Sequence, residues 1–391
     1  MLLLRVSFGH RGLTEGPPTT QAELSLMCTS KTAPQLIRRR LVAGLLAVPA
    51  SRLITMCPSI LAETRHLPVG LSARRTRPPL TLLVPSGPIT STADGQIIQN
   101  LDIDTNSGNA VNVLHRGVTV RNCRIRHAGG HGLHAEGAIG LLLQDLEIEH
   151  VGAPVFGVGP SADRNNLNLD GCSGATVTHV KASRGSANIY VVASAGLRLN
   201  FLELHDARGP TPRGQNVQFD RSPHSVLEDF SAENSTTSWT EDNVSVFRSD
   251  CCIIRRGLVS YNNSPTGDGV MVEGSSDCVV EDVDAVQQGN GAFAATPQDE
   301  EECGGCTFRR CRTRETYNSS RDGRPAPSSG GLSFYTRISA GARKHTITAC
   351  HYDALANPKN LVWDLRAVNE DLSFTHRRFD PRGPIRLAFG W

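Results

Sequence analysis

The stretch of sequence that decides the fold is Val177–Val191, which reads VTHVKASRGSANIYV. Its first part places apolar residues at positions i, i+3 and i+5. Its second part is an Asn followed by an apolar residue, any residue and another apolar residue. The next segment, Leu199–Phe219, repeats both patterns. Alternation with a period of two predicts β-strands, and the extra residue in the first pattern predicts a bend where the chain turns a corner.

The two patterns recur ten times between residues 98 and 363 of this 391-residue chain. Position i of the first pattern is Ile98, Val120, Leu143, Val177, Leu199, Leu227, Ile254, Val280, Phe308 and Ile347. The second pattern begins at Ala110, Gly132, Asn166, Asn188, Asn216, Asn243, Gly269, Gly291, Gly331 and Asn360. Successive units are spaced by roughly 22 to 40 residues, which is the range of solenoid repeats.

The repeat therefore predicts an all-β protein, a single-stranded, right-handed parallel β-helix of about ten coils. Each coil is expected to contain three short strands that pair with their equivalents above and below. The recurring Gly and Asn tolerate left-handed conformations, and a buried Asn can hydrogen-bond to its stacked neighbours at a corner. A leucine-rich-repeat horseshoe would need a regular leucine consensus and a helical convex side, and the sequence shows neither.

On these ten units, over roughly residues 90–365, the chain resembles the pectate-lyase-like superfamily of right-handed β-helix proteins. The right hand follows from this resemblance and from the general preference for right-handed parallel crossovers. The resemblance implies an exported lyase, hydrolase or epimerase of acidic polysaccharides, although some members are structural or adhesive. The sequence shows neither the acid cluster that accompanies Gly-His-Gly in polygalacturonases nor an Arg-rich calcium-lyase motif, and His131-Gly132-Leu133-His134, which follows Gly130, is only a loose echo of the former.

The second strand of each coil predicts two columns of outward side chains. The first column is Asn112, His134, Asn168, Tyr190, Gln218, Ser245, Met271, Phe293, Ser333 and Val362. The second column is Leu114, Glu136, Asp170, Val192, Asp220, Phe247, Glu273, Ala295, Tyr335 and Asp364. Polar groups are concentrated in the first half of both columns. Because the resemblance implies that this face carries the substrate groove, we expect the site to lie between Glu136 and Asp220.

Three carboxylates in the second column are the candidate catalytic groups, with His134 as a proton shuttle. Strands stack about 4.8 Å apart, so Glu136 and Asp170 should be about 5 Å apart, and Asp170 and Asp220 roughly 9–10 Å apart. Close carboxylates raise each other's pKa, which provides an acid beside a base. The shorter spacing suits a retaining glycosidase and the longer one is near the inverting range, so both remain open. The alternative is that these groups are simply solvated, because outward positions of an exposed sheet are polar by default.

Other polar and aromatic residues near this face are candidate substrate-binding groups. Asn168, Tyr190 and Gln218 belong to the first outward column. Arg164 and Arg221 could hold a substrate carboxylate, because a guanidinium pairs with a carboxylate in a bidentate fashion. Trp239, on a loop, is expected either to stack on a sugar ring or to pack its loop against the coil.

Glu241, Asp242 and Asp268 form a second acidic group at the entry to the same strand. Their hard oxygen ligands could bind Ca²⁺, but Asp residues that form turns explain the pattern more simply. No other cofactor or metal is indicated.

The chain contains 11 cysteines. Cys251, Cys278 and Cys306 are predicted to hold equivalent corner positions on consecutive coils. Cys303-Gly-Gly-Cys306 could suggest zinc, but no second pair with zinc-finger spacing follows. We rank free stacked thiols first, a disulfide second and a metal third, and frequent thiols argue against export.

The first 80 residues differ in composition from the repeats. Arg38-Arg39-Arg40 precedes the apolar run 41–50, which is the shape of a secretory signal and too short to span a bilayer in the mature chain. The competing interpretation is an upstream region that is apolar by chance. We therefore divide the chain into a targeting segment and linker (1–80), a β-helix (81–370) and a C-terminal cap or tail (371–391), and expect a secreted or periplasmic protein.

Two functions of different classes follow from these observations. The first is a carbohydrate-active enzyme, either a polysaccharide lyase or a glycoside hydrolase, that acts on an extracellular or cell-envelope polysaccharide. The second is a non-catalytic β-helix, such as an adhesin or a glycan-binding scaffold. The net charge of +2 provides no large positive field, so nucleic acid is not an expected partner. The oligomeric state stays open.

Overall fold

The computed structural model of the chain describes residues 83–152, 163–208, 214–235, 238, 240–262, 264, 267–314, 332–353, 361–370, 372–389 and 391. These residues form 25 β-strands in two sheets and one short 3-10 helix, Leu365–Ala367. The predicted N-terminal targeting segment and linker (1–80) and Trp239 lie outside the described residues. None of the described helices is long and apolar enough to cross a membrane.

Sheet A contains fourteen strands. They are β1 (Val84–Ser86), β3 (Ile97–Thr105), β5 (Thr119–His127), β7 (Leu142–His150), β9 (Thr176–Ser183), β11 (Arg198–His205), β13 (Val226–Glu233), β15 (Ile253–Ser260), β17 (Val279–Val286), β19 (Thr307–Arg309), β20 (Arg312–Arg314), β22 (Thr346–Thr348), β23 (Cys350–Asp353) and β25 (Phe374–His376).

Sheet B contains eleven strands. They are β2 (Ile89–Thr90), β4 (Val111–Val113), β6 (Leu133–Glu136), β8 (Leu167–Asp170), β10 (Ile189–Val192), β12 (Val217–Asp220), β14 (Val244–Phe247), β16 (Asp268–Glu273), β18 (Gly291–Thr296), β21 (Leu332–Thr336) and β24 (Val362–Trp363). Every pairing between these strands, in both sheets, is parallel.

The predicted parallel β-helix is confirmed, since each of the ten units contributes strands to both sheets. The expectation of three separate strands in every coil is corrected, because most coils have one long strand in sheet A that contains the corner. The residue at i+2 of the first pattern has a positive φ in all ten units: Asn100, Asn122, Asp145, His179, Phe201, Asp229, Arg256, Asp282, Arg310 and Ala349. This left-handed residue bends the strand, so the chain turns without interrupting the inward positions on either side.

The core is a stack of inward side chains whose size changes along the helix. The first coils are filled with aliphatic residues such as Ile125, Leu143 and Val177, which are fully buried. The last coils contain Phe293, Phe308 and Phe334, whose ring centroids lie 5.4 to 6.1 Å apart. One apolar column therefore runs through the whole solenoid.

A ladder of buried Asn side chains confirms the predicted role of Asn at one corner. Asn166 Nδ2 donates to Asn188 Oδ1 over 2.7 Å, and Asn188 Nδ2 donates to Asn216 Oδ1 over 2.6 Å. Asn216 Nδ2 then donates to Asn243 Oδ1 over 3.0 Å, and Asn243 Nδ2 to Gln288 Oε1 over 3.1 Å. Buried amide groups need such partners, so the ladder fixes the stacking of these coils.

The C-terminal tail, residues 379–389 and Trp391, runs back across the outward side chains of sheet A. The Arg382 amide donates to Asp284 Oδ2 in β17 over 2.7 Å. The Leu387 amide donates to Glu203 Oε2 in β11 over 2.6 Å. Trp391 Nε1 donates to an oxygen of Glu147 in β7 over 3.1 Å. The tail therefore connects coils that are not neighbours in the stack.

Candidate functional site

The polar residues predicted to share one face do lie together on the outward face of sheet B. The register pairs His134 with Asn168, Glu136 with Asp170, and Tyr190 with both Asn168 and Gln218. Val192 lies between Asp170 and Asp220 in the same column, which confirms that the two acids are two coils apart. Their positions alternate with fully buried residues such as Leu169 and Phe219.

The predicted first column is out of register in the last three coils, by one residue at Phe293 and Val362 and by two residues at Ser333. Met271 pairs with Ala294, which pairs with Tyr335, which pairs with Trp363. Phe293 and Ser333, predicted to point outward, are fully buried. The reason is that the large ring of Phe293 occupies the inward slot that Val270 holds one coil before, and this moves its neighbours by one position. The outward face of the last coils is therefore Tyr335 and Trp363, whose ring centroids are 6.2 Å apart.

Asp220 is the most tightly held of the predicted catalytic acids. Its Oδ2 accepts hydrogen bonds from Tyr190 Oη over 2.9 Å and from Arg221 Nη2 over 3.2 Å. Only 10% of its side chain is exposed, and Oδ1 is buried without a hydrogen-bond partner among the described residues. One oxygen is thus fixed by two donors while the other is left unused.

The acids nearer the N-terminus are more open. Glu136 has 68% of its side chain exposed, and its carboxylate lies 3.9 Å from His134 Nε2. His134 Nδ1 contacts the Asn168 amide at 3.0 Å, and its ring stacks on His131 with centroids 5.6 Å apart. Asp170 is half-buried beside Glu136 in the register. This end of the face is a polar, solvated surface.

The two predicted arginines face different surroundings. Arg221 is half-exposed and pairs with Asp220, so its guanidinium lies at the groove edge. Arg164 instead donates from Nη1 to the Ala128 carbonyl over 2.8 Å, and its Nε is buried without a partner among the described residues. Gln218 is half-buried in the first outward column, between Tyr190 and Ser245.

A third column lies two residues before the paired inward valines Val217, Val244 and Val270 of sheet B, and the sequence analysis did not recognise it as part of this face. It brings Gln215, Asp242 and Asp268 into register on consecutive coils. Asp242 Oδ1 accepts the Asp268 amide over 2.7 Å, and Gln215 Nε2 donates to Glu241 Oε2 over 3.3 Å. Asp268 is fully buried, and neither of its carboxylate oxygens has a hydrogen-bond partner among the described residues.

These acids share one electrostatic environment. Burial, with the neighbouring Glu273, raises the pKa of Asp268 to about 8 and that of Glu241 to about 7. Burial also raises the pKa of Asp242 well above its usual range, with Glu241 and Asp268 adding to the effect. Several protonated carboxyl groups are therefore expected on this face at neutral pH. The suggestion that these residues are ordinary turn-forming Asp does not account for that burial.

Glu273 lies in the same outward column as Asp220, with Phe247 between them. Two strand spacings place the two backbones about 10 Å apart. Burial raises the pKa of Glu273, and Asp299 adds to this while Arg248 opposes it. Arg248 also stacks on the Phe247 ring, with its Cζ 4.8 Å from the centroid. The second outward column thus contains two carboxyl groups in different surroundings, separated by one aromatic ring.

The acidic group also has the oxygen donors that a calcium ion prefers. Asp268 provides two unpartnered carboxylate oxygens, and the side-chain oxygen of Gln215 is likewise buried without a partner among the described residues. Asp242 and Glu241 add two further carboxylates. Ca²⁺ takes six to eight such oxygens, so these residues fit that ion in ligand type.

Comparisons with known proteins give distant structural similarities. No family model matches the sequence, and no curated protein is significantly similar to it. Among solved structures, the Dettilon tailspike protein is similar with 8% identity and a TM-score of 0.49, over 75% of this chain. The chain spans 62% of that tailspike protein.

Two polysaccharide lyases are also similar in fold. Pectate lyase Pel9A has 11% identity and a TM-score of 0.36, over 78% of this chain and 67% of its own. The PL6 family alginate lyase AlyGC has 9% identity and a TM-score of 0.37, over 74% of this chain and 48% of its own. At these identities the likeness concerns the fold alone.

Proposed function

We propose that the protein is a glycoside hydrolase that cleaves an extracellular or cell-envelope polysaccharide along the outward face of sheet B. The observation that carries this proposal is the pair formed by Asp220 and Glu273. They occupy one outward column two coils apart, with Phe247 between them. Glycoside hydrolysis needs two carboxyl groups that flank the scissile bond, one as a proton donor and one as a carboxylate.

The surroundings of the two groups assign their roles. Burial raises the pKa of Glu273, which favours its use as the acid that donates a proton to the leaving oxygen. Asp220 accepts hydrogen bonds from Tyr190 and Arg221 on Oδ2, as a carboxylate does, and its Oδ1, which is buried and without a partner among the described residues, is the oxygen proposed to activate a water that enters the site with the substrate. Their spacing of about 10 Å leaves room for that water and is close to the range of inverting enzymes.

The charge of the groove favours hydrolysis of a neutral or weakly charged chain over cleavage of a polyuronide by a lyase. Glu241, Asp242 and Asp268 lie near Glu273, and these carboxyl groups, whether protonated or ionised, provide no cation that would bind an anionic substrate. Arg221, the predicted ligand of a substrate carboxylate, is already paired with Asp220. The lyase reaction remains the second outcome of the test below.

The remaining predicted residues are proposed substrate-binding positions that extend the site along this face. Towards the N-terminus these are His134, Glu136, Asn168, Asp170, Tyr190 and Gln218. A role for Glu136 or Asp170 in proton transfer stays a proposal, which the variants Glu136→Gln and Asp170→Asn described below test. The role of His134 as a proton shuttle stays a proposal as well. Arg164 and Trp239 complete the set, the first at the neighbouring loop and the second as a proposed stacking surface. Export of the protein belongs to the same proposal, because the substrate is outside the cytoplasm.

A non-catalytic glycan-binding role is the alternative, and one observation favours it. Trp363 is 46% exposed beside Tyr335, and such an aromatic pair binds sugar rings without any need for chemistry. A binding module would retain affinity for the polysaccharide and release no product.

The test is a panel of neutral and acidic polysaccharides, with products followed by reducing ends and by ultraviolet absorbance. Hydrolysis gives reducing ends without the absorbance of an unsaturated sugar, and a lyase gives both. Asp220→Asn and Glu273→Gln should each abolish reducing-end release while the thermal unfolding temperature stays close to that of the wild type. The matched control is Asp104→Asn, an exposed acid of sheet A that pairs with Arg126.

Activity retained in both groove variants would reject the proposed pair. If Glu136→Gln or Asp170→Asn were inactive instead, the chemistry would lie at the N-terminal end of the face. Nuclear magnetic resonance of the first-formed anomer gives the stereochemistry, and retention of configuration would contradict a pair of carboxyls two coils apart.

A further inference from the structure

Three metal-ligating side chains converge at the corner that leads into the sheet A strand β19. The Sγ atoms of Cys303 and Cys306 and a ring nitrogen of His345 all lie within 4.8 Å of one another, and all three residues are buried. His345 precedes β22 and the two cysteines precede β19, so the stacking of two coils brings them together. The sequence shows only the Cys-Gly-Gly-Cys motif, and its partner lies 39 residues beyond Cys306.

A further thiol, that of Cys278, lies one coil earlier beside Cys306, outside the group of three whose ligand atoms are all within 4.8 Å of one another. The register of β15, β17, β19 and β22 stacks Cys252, Cys278, Cys306 and His345 in one column. The thiol of Cys278 contacts the thiol of Cys306, and both are buried. This corrects the sequence prediction, which had placed Cys251 instead of Cys252 in the column. Cys251 has a positive φ and is half-buried at the turn.

The imidazole of His345 is oriented as a metal ligand requires. Its Nε2 lies 2.9 Å from the Arg337 carbonyl and donates to it. Its Nδ1 faces Cys306 and accepts a hydrogen bond from the Cys306 amide over 3.2 Å, a bond that a metal on Nδ1 would replace. A hydrogen bond from the second ring nitrogen to a backbone carbonyl is the usual way in which proteins fix the tautomer of a ligating His.

The backbone between the two cysteines is shaped to turn both thiols inward. Gly305 has a φ of +68°, and a Cβ at this position would lie 2.5 Å from Asp277 Oδ1. At Gly304 an added Cβ would lie 2.7 Å from the Cβ of Ala342. The tight turn therefore depends on two glycines, and it brings the thiol of Cys306 back beside that of Cys303.

From this arrangement we propose that Cys303, Cys306, His345 and Cys278 bind a zinc ion. Three thiols and one imidazole form the ligand set of structural zinc sites, which are tetrahedral and closed to solvent. The site is separate from the outward face of sheet B and has a structural role.

Zinc at this corner would connect three successive coils. Its ligands precede β17, β19 and β22, where the sheet A strands become short and divided. Short, divided strands form fewer backbone hydrogen bonds with their neighbours than one long strand does. A metal that binds only the folded state would stabilise this end of the solenoid in their place.

The experiment uses the full chain, purified under reducing conditions. Zinc measured by mass spectrometry should approach one equivalent per chain. Replacement of zinc by Co²⁺ should produce the ligand-field bands of a tetrahedral thiolate site together with thiolate-to-cobalt charge transfer. A chelator should lower the unfolding temperature, and added zinc should restore it.

Variants assign the ligands. Cys306→Ser should lose the metal, and Cys278→Ser should weaken zinc binding by roughly tenfold or more. Cys252→Ser is the matched control, because this buried thiol lies in the same column but outside the proposed ligand set, and it should retain one equivalent. The cobalt spectrum of the wild type decides the question even if Cys306→Ser does not fold.

Two results would overturn the proposal. One is a wild-type chain that binds neither zinc nor cobalt while all its thiols react with an alkylating reagent after denaturation, which indicates free stacked thiols. The other is a disulfide between Cys303 and Cys306 found by peptide mapping of protein that was never exposed to an oxidant.

Discussion

Tyr190 Oη donates a 2.9 Å hydrogen bond to Asp220 Oδ2 from the neighbouring strand of sheet B. Because the bond fixes one oxygen of the proposed base, Tyr190→Phe should lower kcat while leaving KM nearly unchanged. A hydrogen bond to a charged group contributes about 1.5–3 kcal/mol, so the loss should be roughly 10- to 100-fold. Steady-state kinetics on the polysaccharide identified by the panel measures both parameters.

Gln218→Ala, in the same outward column, is the control for Tyr190→Phe. It removes a proposed substrate contact and should raise KM more than it lowers kcat. Equal kinetics for Tyr190→Phe and the wild type would show that Asp220 does not depend on this bond.

The buried acids of sheet B predict that stability falls as the pH rises. Asp268 moves from an ordinary pKa of 3.8 to about 8 in the folded chain, and Glu241 from 4.5 to about 7. Between these limits the folded state binds more protons than the unfolded state, so the free energy of unfolding decreases with increasing pH. The loss begins above about pH 4 and is complete at about pH 8.

Asp268→Asn should flatten this dependence, because an amide stays neutral throughout. Unfolding temperatures of the two proteins, measured at intervals from about pH 5 to about pH 8, should converge in acid and separate in base. Added Ca²⁺ should stabilise the wild type at the basic end if the cluster binds it, and should have less effect on Asp268→Asn. Parallel pH curves for the two proteins would contradict the raised pKa of Asp268.

The Asn ladder predicts a stability loss that does not depend on the groove. Asn188→Ala removes the bonds to Asn166 and Asn216 and leaves their amide groups buried without these partners. An unsatisfied buried group costs about 1–3 kcal/mol, so urea unfolding should show a loss of at least that size. The exposed Asn106→Ala is the matched control and should unfold like the wild type. A loss no greater than that of the control would mean that the ladder does not stabilise the stack.

Gly257 predicts a steric effect in the core. It occupies the inward i+3 slot between Phe230 and Val283, and a Cβ there would lie 2.2 Å from Cε1 of the Phe230 ring. Gly257→Ala should therefore destabilise the chain by about 1–3 kcal/mol, because overpacking displaces a neighbouring side chain. The double variant Gly257→Ala, Phe230→Leu should recover part of the loss, and equal losses in the single and double variants would place the strain elsewhere.

The repeat was predictable because its physical cause is local. The i, i+3, i+5 offset requires one residue that turns the chain, and all ten of those residues have a positive φ. The register of the polar columns followed from the same alternation as far as Met271. It failed at Phe293 because a large ring can take an inward slot that small residues hold elsewhere, and alternation alone does not distinguish the two placements.

The candidate sites were less predictable because they depend on stacking. Asp220 and Tyr190 were recognised from their column, but the importance of Glu273 follows from its burial and from Asp299, which is distant in sequence. His345 reaches Cys306 only because two coils are superposed, so the Cys-Gly-Gly-Cys motif had no visible partner.

The tail that crosses sheet A changes how the solenoid can come apart. Coils of a stacked repeat contact only their neighbours, so an end can open while the middle stays closed. The bond from Trp391 to Glu147 spans 244 residues of sequence, and the bonds of Arg382 and Leu387 join β17 and β11 to the same segment. Unfolding of one of these coils therefore also breaks a contact with the C-terminal tail. Because the same tail holds β7, β11 and β17, it makes the unfolding of distant coils more cooperative, as in a globular domain.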